Sequence, residues 1–123
     1  MRMPQKFISA ASAVAFILSA PVVLSSVANA AEASNIKEGK KIAFHRKKGN
    51  CLACHAIKGG TLPGNIGPPL VNMKERFPDK SKLKEQIADA TVNNPNSIMP
   101  PFGSHKILTA KELDKVVDFI YSL

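Results

Sequence analysis

Past residue 30, apolar positions recur at helical spacing in three stretches separated by loops of another character. The last stretch has the clearest pattern: Leu113, Val116, Val117, Ile120 and Tyr121 form one stripe, and Thr109-x-x-Glu112 in front of them is a capping box. An earlier helix is predicted from Asn35, where Asn35-x-x-Glu38 resembles a second capping box, to about Lys47. Ile36, Gly39, Ala43 and Phe44 give that helix an apolar or small face, and Gly39 is expected there only if another helix must come close. A third helix is predicted from near Ser81, a good N-cap, through Leu83, Ile87 and Ala90 to Val92, where Asn93-Asn94-Pro95-Asn96 stops it.

The stretches between are too rich in breakers for regular structure. Lys58 to Leu70 holds four glycines and three prolines, and Ser97-Ile98-Met99-Pro100-Pro101-Phe102-Gly103-Ser104-His105 is similarly punctuated. No run alternates as a half-buried strand would, and no internal repeat is visible. The expected class is therefore all-α, about three helices joined by Pro/Gly-rich loops.

The first thirty residues have a different pattern. Arg2 and Lys6 precede a mostly apolar run from Phe7 to Leu24, followed by Val27-Ala28-Asn29-Ala30, the layout of a secretory signal peptide. Ser9, Ser12, Ser19 and Pro21 interrupt the run, which argues against a retained span, for which about 20 apolar residues are wanted. Cleavage is expected after Ala30, with Ala33 as the weaker option. Residues 31–123 are then one domain of 93 residues, exported to the periplasm with no stable membrane anchor. The chain has 17 Lys and Arg against 9 Asp and Glu; Arg2 and Lys6 fall in the leader, so residues 31–123 keep 15 against nine, a formal balance of +6. Without a nucleic-acid motif, that basicity suits an acidic protein partner or an anionic substrate, or simple solubility, rather than DNA.

The chemistry is concentrated in Cys51-Leu52-Ala53-Cys54-His55. Two thiols three positions apart, followed at once by an imidazole, are the arrangement that attaches a c-type haem, the histidine serving as one axial ligand of the iron. A zinc site wants about four ligands, and Cys51 and Cys54 are the only cysteines. A thioredoxin-like dithiol would follow a strand in a βαβ pattern that this chain lacks; thiol redox chemistry is nonetheless the next reading after haem, and a structural disulfide is a further plain reading of an exported pair. One haem c with its iron is therefore the expected cofactor. The rigid Gly67-Pro68-Pro69 segment is suited to present a carbonyl to the second ring nitrogen of His55.

The sixth position is filled from Met73, Met99, His45 or His105, or is left open, the least expected arrangement. Met99 is preferred, because two following prolines hold its loop extended and a thioether opposite histidine suits electron transfer. Met73 is expected to pack in the core, His45 to lie exposed beside Arg46-Lys47-Lys48, and His105 is the next choice of ligand.

Three segments in this order, Gly49 to His55, Pro63 to Leu70 and Ile98 to Gly103, resemble the SoxX family, the small monohaem subunits of SoxAX cytochromes. The similarity continues through His105 and Ile107-Leu108-Thr109 into the last helix, although the stretch from Gly39 to Cys51 is longer than in the commonest cytochromes c. The resemblance implies a class I cytochrome c fold, thioether attachment at Cys51 and Cys54, and axial ligands His55 and Met99. It also implies that the Pro68 carbonyl accepts the His55 ring N–H and that Leu70 packs on the porphyrin. In that family the complex is an L-cysteine S-thiosulfotransferase, which joins thiosulfate to a cysteine of the SoxYZ carrier and releases two electrons. The sulfur chemistry belongs to a SoxA-like partner, and the SoxX haem relays electrons to a small acceptor cytochrome c. With both cysteines committed to haem, this chain has no thiol left for the sulfur adduct, in keeping with a relay. The competing readings are a free-standing diffusible cytochrome c and a dithiol oxidoreductase without haem.

Overall fold

A computed structural model describes residues 23–123; the expected basic n-region and most of the leader's apolar run lie outside the described residues. Among the described residues the α-helices are α1 (Val23–Phe44), α2 (Met73–Arg76), α3 (Lys80–Ala88) and α4 (Ala110–Tyr121), with 3-10 turns at Cys51–Ala53 and Ala90–Val92. Among the described residues there is no strand, only one isolated parallel bridge between Ile57 and Leu70. The all-α expectation holds, and no helix among these residues is long and apolar enough to cross a membrane.

α4 is built as its sequence pattern requires. The Glu112 N–H donates to Thr109 Oγ1 at 3.3 Å while Glu112 Oε2 accepts from the Thr109 N–H at 3.0 Å, closing both halves of the capping box. Of the expected stripe Leu113, Val116, Val117 and Ile120 are buried and Tyr121 is half-buried, while Phe119, outside that stripe, is buried as well where α1 lies along the helix. Gly39 makes the approach possible: a Cβ there would stand 1.9 Å from the Lys115 carbonyl oxygen. One turn further on, Phe44 meets Phe119 edge to face at 5.8 Å.

Two helix boundaries differ from the sequence expectation. α1 passes through Asn35 without a start, because the alanine-rich residues 28–33 before it are strong helix formers and nothing breaks them. Asn35 and Glu38 therefore face across to α4, with Asn35 Nδ2 donating to Asp118 Oδ2 at 3.1 Å and Glu38 paired with Lys115. The expected cleavage point after Ala30 falls inside this helix. α1 ends at Phe44 rather than Lys47, because the His45 and Gly49 N–H groups both return to the Ile42 carbonyl and fold the basic run into a turn.

α3 is capped by Asp79, whose carboxylate accepts from the Ser81 N–H at 2.8 Å, so the cap sits two residues before the expected Ser81. It also stops at Ala88 rather than Val92, since Asp89 is extended and its side chain caps a separate 3-10 turn through the Thr91 N–H at 3.0 Å. α2 was not expected; four residues are too few to show a helical period.

α4 is also tied electrostatically. Glu112 pairs with Lys48, Asp114 with Lys84 at 2.6 Å, and Asp118 with Lys80, so three of its carboxylates reach the turn after α1 and α3. Each pair is partly exposed and contributes little alone. Lys48, together with the Thr109 cap, holds the Glu112 carboxyl at about 2, and Lys115 lowers that of Glu38.

Two outcomes are expected. Gly39→Ala should force α1 and α4 apart, costing about 2–3 kcal/mol and lowering the thermal midpoint by roughly 10 °C; far-UV circular dichroism melts of the haem-containing protein measure it. Because the folded Glu112 carboxyl titrates below its ordinary 4.5, its contribution is full above that pH and is lost as pH falls toward about 2. Glu112→Gln should flatten the decline of urea midpoints across that window.

Candidate functional site

Between α1 and the first glycine-rich loop, the chain makes one tight turn. Asn50 adopts a left-handed conformation (φ 47°), which asparagine tolerates, and opens the 3-10 turn Cys51–Ala53. The Cys54 and His55 N–H groups both donate to the Cys51 carbonyl, at 3.2 and 2.9 Å. This turn brings Cys51, Cys54 and His55 to the wall of a single cleft of about 720 Å³.

The cleft also takes Pro68, Leu70 and Met99, so all six residues singled out from the sequence share it. Leu83, Ile87, Phe102, Val116 and Ile120 supply apolar wall from α3, α4 and the loop between them. Its size falls within the usual range for cofactor pockets, roughly 300–1,000 Å³.

His55 is held on two sides. Its Nδ1 lies 2.7 Å from the Pro68 carbonyl oxygen, and a carbonyl can only accept, so Nδ1 carries the proton and Nε2 keeps its lone pair. The ring also lies against Gly67, where an added Cβ would stand 2.3 Å from Cε1. The glycine-rich loop is pinned to the cysteine turn: the Gly64, Gly67 and Leu70 N–H groups donate to the carbonyls of Leu52, Cys54 and Ala56 at 2.8–2.9 Å. Both cysteines are free thiols, not a disulfide. In the chain without haem, burial pushes the Cys51 thiol up to about 11.

Met99 reaches the cleft from a loop fixed at its far end. The Gly103 N–H donates to the Ala88 carbonyl at 2.9 Å, the Leu108 N–H to the Phe102 carbonyl at 3.0 Å, and Ser104 Oγ to Asp89 Oδ2 at 2.7 Å. Met73 also lines the cleft but is 2% exposed, and its sulfur accepts from Arg76 Nη1 at 3.4 Å. His45 and His105 are exposed and stand outside the cleft lining; His45 Nδ1 accepts from the Lys47 N–H at 3.2 Å. Sequence reasoning missed Arg76 in this wall, since a lone arginine in a four-residue helix has no pattern to mark it. It also missed that the Arg46–Lys48 run borders the cleft, along with the exposed Ile66 and Ile98.

Comparison with known proteins gives a family match. The family model described as cytochrome C oxidase, cbb3-type, subunit III matches residues 34–120. A protein of Aquifex aeolicus (strain VF5), described as an uncharacterized lipoprotein, is 36% identical over 76 residues, 61% of this chain. The match spans 37% of that relative's length. The helical architecture is that of a class I cytochrome c, and such a domain carries a covalently bound haem c with its iron. The residues fit that group: two free thiols on one turn, an imidazole whose tautomer leaves Nε2 unprotonated, and apolar walls around them.

Gly67→Ala is expected to displace the His55 ring. If that ring holds the iron, the low-spin haem spectrum per polypeptide should fall about tenfold, as read by absorption of purified protein.

Proposed function

The chain belongs to the cytochrome c oxidase, cbb3-type, subunit III family, and from that premise we propose a one-electron relay with His55 and Met99 as axial ligands and Cys51 and Cys54 as thioether attachments. Membership supports the haem and its redox role. The observation that carries the ligand assignment is the hydrogen bond of His55 Nδ1 to the Pro68 carbonyl, which turns the other ring nitrogen into the basic one.

In this reading the haem, when bound, supplies a reversible ferric–ferrous couple. The chain's residues set its conditions. His55 is held in one tautomer and one ring orientation, and its hydrogen bond to a carbonyl makes it a stronger donor. Met99 supplies a thioether from the loop anchored at Gly103 and Leu108, and a methionine opposite histidine raises the potential. Leu70 and the apolar walls exclude water, which disfavours the more highly charged oxidised form. Of the other candidates, Met73 has its sulfur engaged by Arg76, and the two histidines stand away from the cleft.

The finer reading is an electron-accepting subunit of a SoxAX-type L-cysteine S-thiosulfotransferase in the periplasm. Its support is the resemblance of the segments around Cys51, Pro68 and Met99, together with the absence of a third cysteine. Thiosulfate would be joined to a cysteine of the SoxYZ carrier on a SoxA-like partner. The two electrons released would leave singly through the relay to a small acceptor cytochrome c. Residues 1–30 would be a cleaved leader, and cell fractionation distinguishes a soluble periplasmic domain from a membrane-attached one.

Met99→Ala should abolish the far-red methionine–iron charge-transfer band of the oxidised protein and lower the potential; a retained band rejects Met99 as ligand. For the finer reading, the native protein should co-purify with a larger haem protein and its haem should be reduced on adding thiosulfate and carrier. A monodisperse monomer in cell extract that thiosulfate leaves oxidised would instead establish a free-standing diffusible cytochrome c.

A further inference from the structure

Pro68 and Pro69 have no N–H groups, so the segment that supports His55 is tied through donors only at its ends. The Gly67 N–H donates to the Cys54 carbonyl at 2.8 Å and the Leu70 N–H to the Ala56 carbonyl at 2.9 Å. Of the three carbonyls between them, those of Pro68 and Pro69 are met by side-chain donors. The Pro68 carbonyl accepts from His55 Nδ1 at 2.7 Å, and the Pro69 carbonyl accepts from Arg76 Nη1 at 2.8 Å. The same Nη1 lies 3.4 Å from the sulfur of Met73, a buried residue whose own N–H donates to the Leu123 carbonyl at 3.0 Å. The guanidinium thus links the proline segment to a point fixed by the core.

We infer that Arg76 is a positioning residue for the His55 imidazole, acting through the Pro69 carbonyl. The pyrrolidine ring of Pro69 fixes its φ, which leaves ψ of Pro69 as the torsion between the peptide that carries the Pro68 oxygen and the peptide held by Arg76 and by the Leu70 N–H. Without Arg76 the Pro69 carbonyl is left to water and its peptide is held from the Leu70 N–H side alone, at little cost to the fold because Arg76 is exposed. The Pro68 oxygen then loses its fixed place on Nδ1. The inference rests on His55 being an axial ligand.

The test uses the reduced, haem-loaded protein and reads the exchange of the His55 Nδ1–H proton by NMR beside the amide exchange of Val116 and Val117 in α4. Arg76→Ala should speed the Nδ1–H exchange about tenfold, the lower end of what supporting groups contribute, with the α4 amides nearly unchanged. Arg76→Lys, which keeps the charge and one donor, should restore part of the protection and serves equally if the alanine variant folds poorly. Unchanged Nδ1–H exchange, or exchange rising in parallel with the α4 amides, would overturn the inference, since Arg76 would then be merely structural. The ligand assignment is checked separately: a His55→Ala protein that keeps the low-spin spectrum removes that assignment, whereas a null effect at Arg76 leaves it standing.

Discussion

The hydrogen bond between His55 Nδ1 and the Pro68 carbonyl is the constraint on which the site depends. An imidazole following two cysteines could otherwise rotate and could carry its proton on either nitrogen. A carbonyl that only accepts removes the second freedom, and Gly67 against the ring removes most of the first. The rest of the loop positions that carbonyl: Gly64 lets the backbone approach Ala53, and the prolines hold an extended path that regular structure could not supply. A loop between two helices thus behaves as a rigid element, and its rigidity comes from missing N–H groups as much as from bonds made.

Behind the site, α4 is the element against which everything else is measured. Its apolar stripe receives α1 through Gly39 and α3 through Leu83 and Ile87, while its last turn and the following residues anchor Met73. The two walls of the cleft are consequently fixed to one helix, although the site residues come from three loops far apart in sequence. This arrangement suits electron transfer, where a site that reorganises little between oxidation states is an advantage.

Much of this was legible before any coordinates. The Thr109–Glu112 box, the stripe on α4, the close approach at Gly39 and the cluster from Cys51 to His55 all rest on local chemistry, which survives into the fold unchanged. The failures share a cause. Asn35-x-x-Glu38 has the composition of a cap, but a cap also needs the preceding chain to be non-helical, and alanines at 28, 30, 31 and 33 make it helical. At α3, Asp79 and Ser81 were both competent caps, and the earlier one prevailed by taking the Ser81 N–H. Arg76 is invisible for another reason: its role lies in two acceptors, Pro69 and Met73, whose geometry exists only once the proline segment is folded.

The distribution of charge follows from the same economy. Most of the nine carboxylates are used inside the fold: Glu38, Glu112, Asp114 and Asp118 join helices, and Asp79 and Asp89 cap turns. Arg46 and Lys47 pair with none of the described carboxylates and border the cleft, beside the exposed Ile66 and Ile98. Lys48, by contrast, is drawn back to Glu112 and fastens this turn to α4. Two of the cations that pair with no described carboxylate thus stand at the border of the cleft, while others, Lys58, Lys106 and Lys111 among them, lie away from it. Charges placed beside an apolar mouth act on the rate of encounter with an oppositely charged surface more than on affinity.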